Sequence, residues 1–213
     1  MLLVTSEGYL NVMERYNEVC IGIDQSYKRT GISVSADGKL LRVTSVDLSK
    51  CKSKTEKRRK LKAALERCIT TVSEKADSTI ILIERIRTFS DGFLSTPYVK
   101  SMGALNAVIV DVAFDLSIEV MNVDTRAWKA SVIGTSKPEQ NRYGVPDKKW
   151  PTVRWCCAKG FRKQLMHEVK GRRQKGTFVR NGVKYEFDDD AADSAAISMF
   201  WFVGDRSKLK PES

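Results

Sequence analysis

Val19-Cys20-Ile21-Gly22-Ile23-Asp24-Gln25-Ser26 opens with a short apolar run of five residues that leads into a carboxylate, Asp24. It carries β-branched residues and no polar alternation, which suits a strand buried on both faces. Such a strand sits in mid-sheet, so Asp24 is expected at the edge of the core with a neighbouring strand on either side. In open α/β sheets, ligand chemistry gathers at the strand ends around a central strand. A strand ending in Asp also occurs as a plain turn cap, and this stretch alone does not separate the two. Two further acidic stretches bear on the choice.

Working outward, Thr30–Ala36 and Leu40–Val46 alternate apolar and polar residues about the turn pair Asp37-Gly38, which predicts a three-strand antiparallel meander over 19–47. Leu61, Leu65, Cys68, Ile69 and Val72 recur at helical spacing in a predicted helix over 55–76. Ile80-Ile81-Leu82-Ile83-Glu84 is a second buried-type strand ending in a carboxylate. A loop over 85–96, a helix over 97–116, a strand over 118–123 and a short helix capped by Asp124 follow. Residues 134–146 read as loop and 150–166 as helix. Asn181-Gly182 between two β-prone triplets predicts a two-residue hairpin, and 189–202 a final helix. Helical crossovers make the later strand pairings parallel. The expectation is an α/β fold with a mixed five-stranded sheet, its first strand in the middle.

The 213 residues suit one domain over 19–204, with an extension over 1–18, a basic insertion at about 160–187 and a tail over 205–213. Met1 and Met13 are both candidate starts, and the opening residues lack the pattern of a signal peptide. No apolar run reaches a membrane span, and five cysteines without a C-x-x-C point to reduced thiols, hence a cytoplasmic setting. Net charge is +11, unevenly placed. Lys50–Lys62 holds eight Lys/Arg and one acid, and Lys159–Lys184 nine and one. Such clustering favours a polyanion, most simply nucleic acid.

Asp188-Asp189-Asp190-Ala191-Ala192-Asp193 opens the last helix. Helix capping accounts for Asp188 or Asp189, since acids are favoured in a first turn. It accounts poorly for Asp193, about a turn further in among small residues and i, i+3 to Asp190. Converging carboxylates repel by about 4 kcal/mol per pair at 4 Å and an effective dielectric near 20. Divalent cations with hard-oxygen preference, magnesium or manganese, offset that repulsion.

With these residues in view, the chain resembles the RuvC-type Holliday junction resolvases of the ribonuclease H-like nucleases. The matching pieces, in order, are Ile21-Gly22-Ile23-Asp24 with Thr30-Gly31-Ile32, Ile83-Glu84, Met102-Gly103-Ala104-Leu105-Asn106-Ala107, and Asp190-Ala191-Ala192-Asp193-Ser194-Ala195. Arg126-Ala127-Trp128-Lys129 through Lys148-Lys149 matches more loosely. The resemblance implies a ribonuclease H-like fold and a homodimer acting on branched DNA such as a four-way junction. It also implies two Mg2+ ions (Mn2+ substituting) held by Asp24, Glu84, Asp190 and Asp193. The DNA-facing lysines of the family map onto Lys129 and onto Lys148 or Lys149. Gln25 stands where bacterial members carry proline, and the basic insertion is extra. Both departures suggest a divergent branch of the kind found in bacteriophages, which would act in the bacterial host cytoplasm.

Within the insertion, Arg172, Arg173 and Lys175 are candidate phosphate contacts. Phe89 and Phe93 are read either as base-stacking residues or as loop residues returning to the core. Trp128 is read as a packing residue. Other readings keep the same acids for another nucleic-acid substrate, as in a transposase, or reduce the fold to a binding module. An actin-like sugar kinase is set aside because its second half is missing.

Overall fold

In the computed structural model, which describes residues 15–86, 96–135, 137, 139–140, 146–169, 178–180 and 182–212, the opening run forms β1 (Tyr16–Asp24), starting a little before Val19. β2 (Arg29–Ala36) and β3 (Lys39–Asp47) complete the antiparallel meander. Then come α1 (Lys54–Ser73), β4 (Ala76–Glu84), α2 (Thr96–Asp115) and β5 (Glu119–Val123). The short helix α3 (Thr125–Trp128) runs into a π-helical turn, Lys129–Ile133. β4 lies parallel to β1 and β5 parallel to β4, as helical crossovers require. β1 is therefore central, paired to β2 on one side and to β4 on the other.

Alternation along β1 assigns its residues to two faces. Val19, Ile21 and Ile23 pack with Leu61, Leu65 and Ile69 of α1 and Leu105, Ile109 and Val112 of α2. Cys20 joins Ile80 and Leu82 of β4 in a second cluster with Trp128, Ile197 and Phe200 under the last helix, α6 (Asp189–Val203). Asp24 continues the even series of β1, and Glu84 that of β4, so both carboxylates lie on the α6 side of their strands.

Small residues let α6 lie directly on this face. A Cβ at Gly22 would come 2.3 Å from the Ser194 carbonyl oxygen, and one at Gly31 2.0 Å from that of Asp190. Ser33 Oγ donates to the Ser194 carbonyl at 2.6 Å and lies within hydrogen-bond distance of Ser198 Oγ at 2.9 Å, tying β2 to the helix inside the core. These contacts fix how far along the strands the first turn of α6 falls.

Several elements depart from the sequence expectation. The sheet has six strands, because β11 (Lys210–Pro211), in the segment expected as a tail, pairs antiparallel with β5. Residues Asn106 and Asn122 donate to the Glu212 carboxylate and anchor it. The 134–146 loop contains the strand pair β6 (Glu139–Gln140) and β7 (Pro146–Asp147). The helix over 150–166 is broken into α4 (Trp150–Cys156), a π turn (Cys157–Phe161) and α5 (Arg162–Leu165), since Gly160 takes φ 95°. The expected hairpin, β9 (Phe178–Arg180) with β10 (Val183–Phe187), carries a third strand, β8 (Met166–Glu168). Phe89, Phe93, Arg172, Arg173 and Lys175 lie outside the described residues.

Candidate active site

Three elements bring four acids together at one end of the sheet. Asp24 ends β1 and Glu84 ends β4, and Ile23 pairs with Ile83 in parallel register. Asp190 and Asp193 descend from the first turns of α6. Burial, and then the charges of Asp193, Glu84 and Asp190, push the Asp24 carboxyl well above the ordinary range; Lys149 opposes them. Asp190 is pushed up to about 7, first by burial and then by Asp189, with Asp188 and Asp193 adding. Like charges held this close disfavour one another's ionised form, so the carboxyls of the group hold protons more tightly than isolated ones.

Each acid is held differently. Glu84 accepts from Thr125 Oγ1 at 2.6 Å on one oxygen and from Trp128 Nε1 at 3.2 Å on the other. Trp128 is fully buried, so this donor is both a core residue and the clamp that orients a site carboxylate. Gln25 donates its Nε2 to the Glu84 carbonyl at 2.8 Å, bridging the ends of β1 and β4. Asp193 is buried; its Oδ2 accepts from Lys149 Nζ at 2.6 Å, while its Oδ1 has no hydrogen-bond partner among the described residues. Lys149 Nζ also lies 3.6 Å from Asp189 Oδ2. Burial disfavours the Lys149 charge, but Asp193, Asp24 and Asp189 outweigh it and hold the ammonium well above the usual lysine range.

Asp188, Asp189 and Asp190 bring one carboxylate oxygen each within 4.8 Å of one another, a second arrangement with metal-ligand character. The hydrogen bonds of Asp188 speak against its membership. Its Oδ1 caps α6 by accepting from the Ala191 N–H at 2.9 Å. Its Oδ2 accepts from Ser45 Oγ and lies 2.9 Å from His167 Nε2, with Arg29 at 3.9 Å. Burial would raise this carboxyl, but the hydrogen bonds from His167, Ser45 and Ala191 outweigh it and hold it below the ordinary range. Asp188 is thus committed to structure.

The structure thereby brings together Asp24, Glu84, Asp190 and Asp193. Of the paired lysines, Lys149 enters the site and Lys148 stays exposed. Lys129 sits 5.0 Å over the Trp128 ring, one residue along from the Glu84 clamp. Sequence reasoning missed Thr125 and Gln25 as partners of Glu84, and His167 as a partner of the structural Asp188. Thr125 and Gln25 carried a usable signal, since each adjoins the end of a strand of the acidic end. A cleft lined by Asp24, Gln25, Glu84, Arg85, Tyr98 and Met102 opens beside the acids toward α2.

No family model and no curated protein matches this sequence. Among solved structures, the chain is similar to Thermus thermophilus RuvC in complex with Holliday junction substrate, at 13% identity and a TM-score of 0.56, covering 92% of this chain and 100% of that one. It is similar to a second Thermus thermophilus RuvC structure at 14% identity and a TM-score of 0.54, covering 91% of this chain and 99% of that one. The likeness is one of fold, and the fold is ribonuclease H-like, as the resemblance in sequence implied. No helix among the described residues is long and apolar enough to cross a membrane.

Proposed function

We propose that the chain is a structure-selective endonuclease that resolves four-way junctions and related branched DNA by metal-dependent phosphodiester hydrolysis. One observation carries the reading: four carboxylates from three elements meet at the end of the central strands, and a buried oxygen of one, Asp193 Oδ1, lacks a partner among the described residues. An all-oxygen donor set with its own repulsion fits hard divalent cations. Asp24, Glu84, Asp190 and Asp193 would hold two Mg2+ or Mn2+ ions. Bound there, such ions supply a water activated near neutral pH and charge stabilisation at the leaving oxygen.

The chain's own groups prepare that site. Thr125 and Trp128 fix both oxygens of Glu84, and Gln25 locks the two strand ends together. Lys149 offsets the charge of buried Asp193. Lys129, Lys148, Arg172, Arg173 and Lys175 are assigned to backbone phosphates, and Phe89 to stacking on a base. The fold shared with a RuvC structure that carries a Holliday junction supports the choice of substrate. Assembly as a homodimer, and action in the cytoplasm, belong to the same proposal. The test is incubation with a labelled four-way junction and a matched linear duplex, with and without magnesium. Magnesium-dependent cutting of the junction alone is expected; no cutting, or equal cutting of both, contradicts the reading.

A further inference from the structure

The cluster Lys50–Lys62 plays no part in the site described above. Its cations crowd the start of α1, where the helix N-terminus already carries partial positive charge and disfavours them. The single first-turn acid is Glu56, and it is engaged in capping: it accepts from the Lys52 N–H at 2.7 Å, while its own N–H donates to Ser53 Oγ at 3.1 Å. Lys60 donates to the Asp47 carbonyl, and Lys62 pairs with Asp115 and Glu66. Lys50, Lys52, Lys54, Arg58 and Arg59 are exposed, with no ion pair among the described residues. Local helix physics therefore gives no reason for this charge.

Its position does. Lys57 Nζ donates to the Tyr27 carbonyl at 2.8 Å and lies 3.7 Å over the Tyr27 ring, in the turn that directly follows Asp24. The Leu48 N–H donates to the Lys28 carbonyl at 2.7 Å, drawing the end of β3 to the same turn. Asp24 pairs with Gly31 and Arg29 with Asp47, so the ends of β1 and β3 and the start of β2 share one end of the sheet, where Glu84 also emerges. The basic start of α1 is thus clamped to the end of the sheet that presents the acids. There it forms a cationic lip on the α1 side of that end, across the sheet from α6.

We infer that this lip, formed by Lys50, Lys52, Lys54, Arg58 and Arg59, binds the phosphate backbone of a duplex arm whose strand enters the acidic site. This inference rests on reading the chain as a DNA nuclease. Exposed, mutually repelling cations without acid partners suit a polyanion, and they contact phosphates without reading bases. A negatively charged backbone crossing the end of the sheet would meet the acids once these carry cations, and the lip beside them.

The test measures binding of a labelled four-way junction and of a linear duplex in EDTA, where nothing is cut, across a series of salt concentrations. The triple variant Lys52→Ala, Lys54→Ala, Arg58→Ala is compared with a charge-matched triple, Lys39→Ala, Arg67→Ala, Lys75→Ala; Lys39 and Lys75 lie toward the opposite end of the strands. Each lost phosphate contact flattens the log–log salt slope by about 0.9, so the first triple is expected to flatten it by roughly 2–3 and the control by less than about 1. The same first triple should hold or raise thermal stability, because it relieves charge at a helix N-terminus. Weaker binding with unimpaired stability cannot arise from misfolding. A Gln triple at the same positions should reproduce the slope change and separate charge from helix propensity. An unchanged slope, or equal flattening in both triples, overturns the inference. The nuclease reading fails separately, through absence of junction cutting by the unaltered protein in magnesium.

Discussion

Helices α1 and α6 both begin at the acidic end of the sheet, and they begin with opposite charge. α6 opens on Asp188, Asp189 and Asp190, where the helix dipole favours acids by about 0.3–1 kcal/mol each. α1 opens with Lys54, Lys57 and Arg58, against the same dipole. Charge that a helix terminus explains by itself says little about function, and Asp188 is the example, with its hydrogen bonds satisfied inside the fold. Charge that the helix does not explain says more. On α6 that is Asp193, past the first turn and buried; on α1 it is the exposed Lys54, Arg58 and Arg59, with Lys50 and Lys52 just before them.

The comparison is sharpest at Asp190 in the metal-free protein. Its carboxyl, pushed by burial and the charge of Asp189 from the ordinary aspartate range up to about 7, binds a proton more tightly folded than unfolded. That acid costs nothing below about pH 4, and stability is lost as pH rises toward 7. Asp190→Asn should therefore leave stability unchanged near pH 4 and raise it by about 2–4 kcal/mol at pH 8, measured by denaturant unfolding without divalent ions. A gain at pH 4 equal to that at pH 8 would show that charge is not the cause.

Asp188→Ala tests the opposite member of the same run. It removes a cap and leaves Ser45, His167 and Arg29 around an emptied buried site, so a loss of about 2–4 kcal/mol is expected. Asp189→Ala, at a partly exposed position, should change stability by less than about 0.5 kcal/mol. Equal losses for the two would break the distinction between a structural and a surface acid. Gly31→Ala places a methyl group against the Asp190 carbonyl and should cost about 1–3 kcal/mol by overpacking. Cutting should fall with it, since the first turn of α6 must shift; a variant of unchanged stability would mean that close approach of helix and strand is not what sets the site.

Much of this was legible in the sequence, for physical reasons that are local. Two β-branched runs ending in Asp24 and Glu84 announced central strands, and period-2 alternation carries both acids to one face. The spacing of Asp190 and Asp193 announced a shared helix face. Non-local pairings were not legible. β11 is too short to show a pattern and exists because β5 offers an open edge. β8 depends on the hairpin it joins, and the break at Gly160 on a glycine that reads equally well as part of a helix. The choice of Lys149 over its neighbour Lys148, and the Ser45–Asp188–His167 contacts, join residues far apart in the chain.

The central claim is that Asp24, Glu84, Asp190 and Asp193 act as one metal-binding group, with Asp193 a member despite its place inside the helix. The most direct measurement is the cleavage of a labelled four-way junction in magnesium by Asp193→Asn beside the unaltered protein, with binding of the same junction followed in parallel. The account predicts cutting reduced to background, junction binding retained, and metal-free stability equal to or above that of the unaltered protein. Cutting by Asp193→Asn at the unaltered rate would remove Asp193 from the site and contradict the four-carboxylate arrangement.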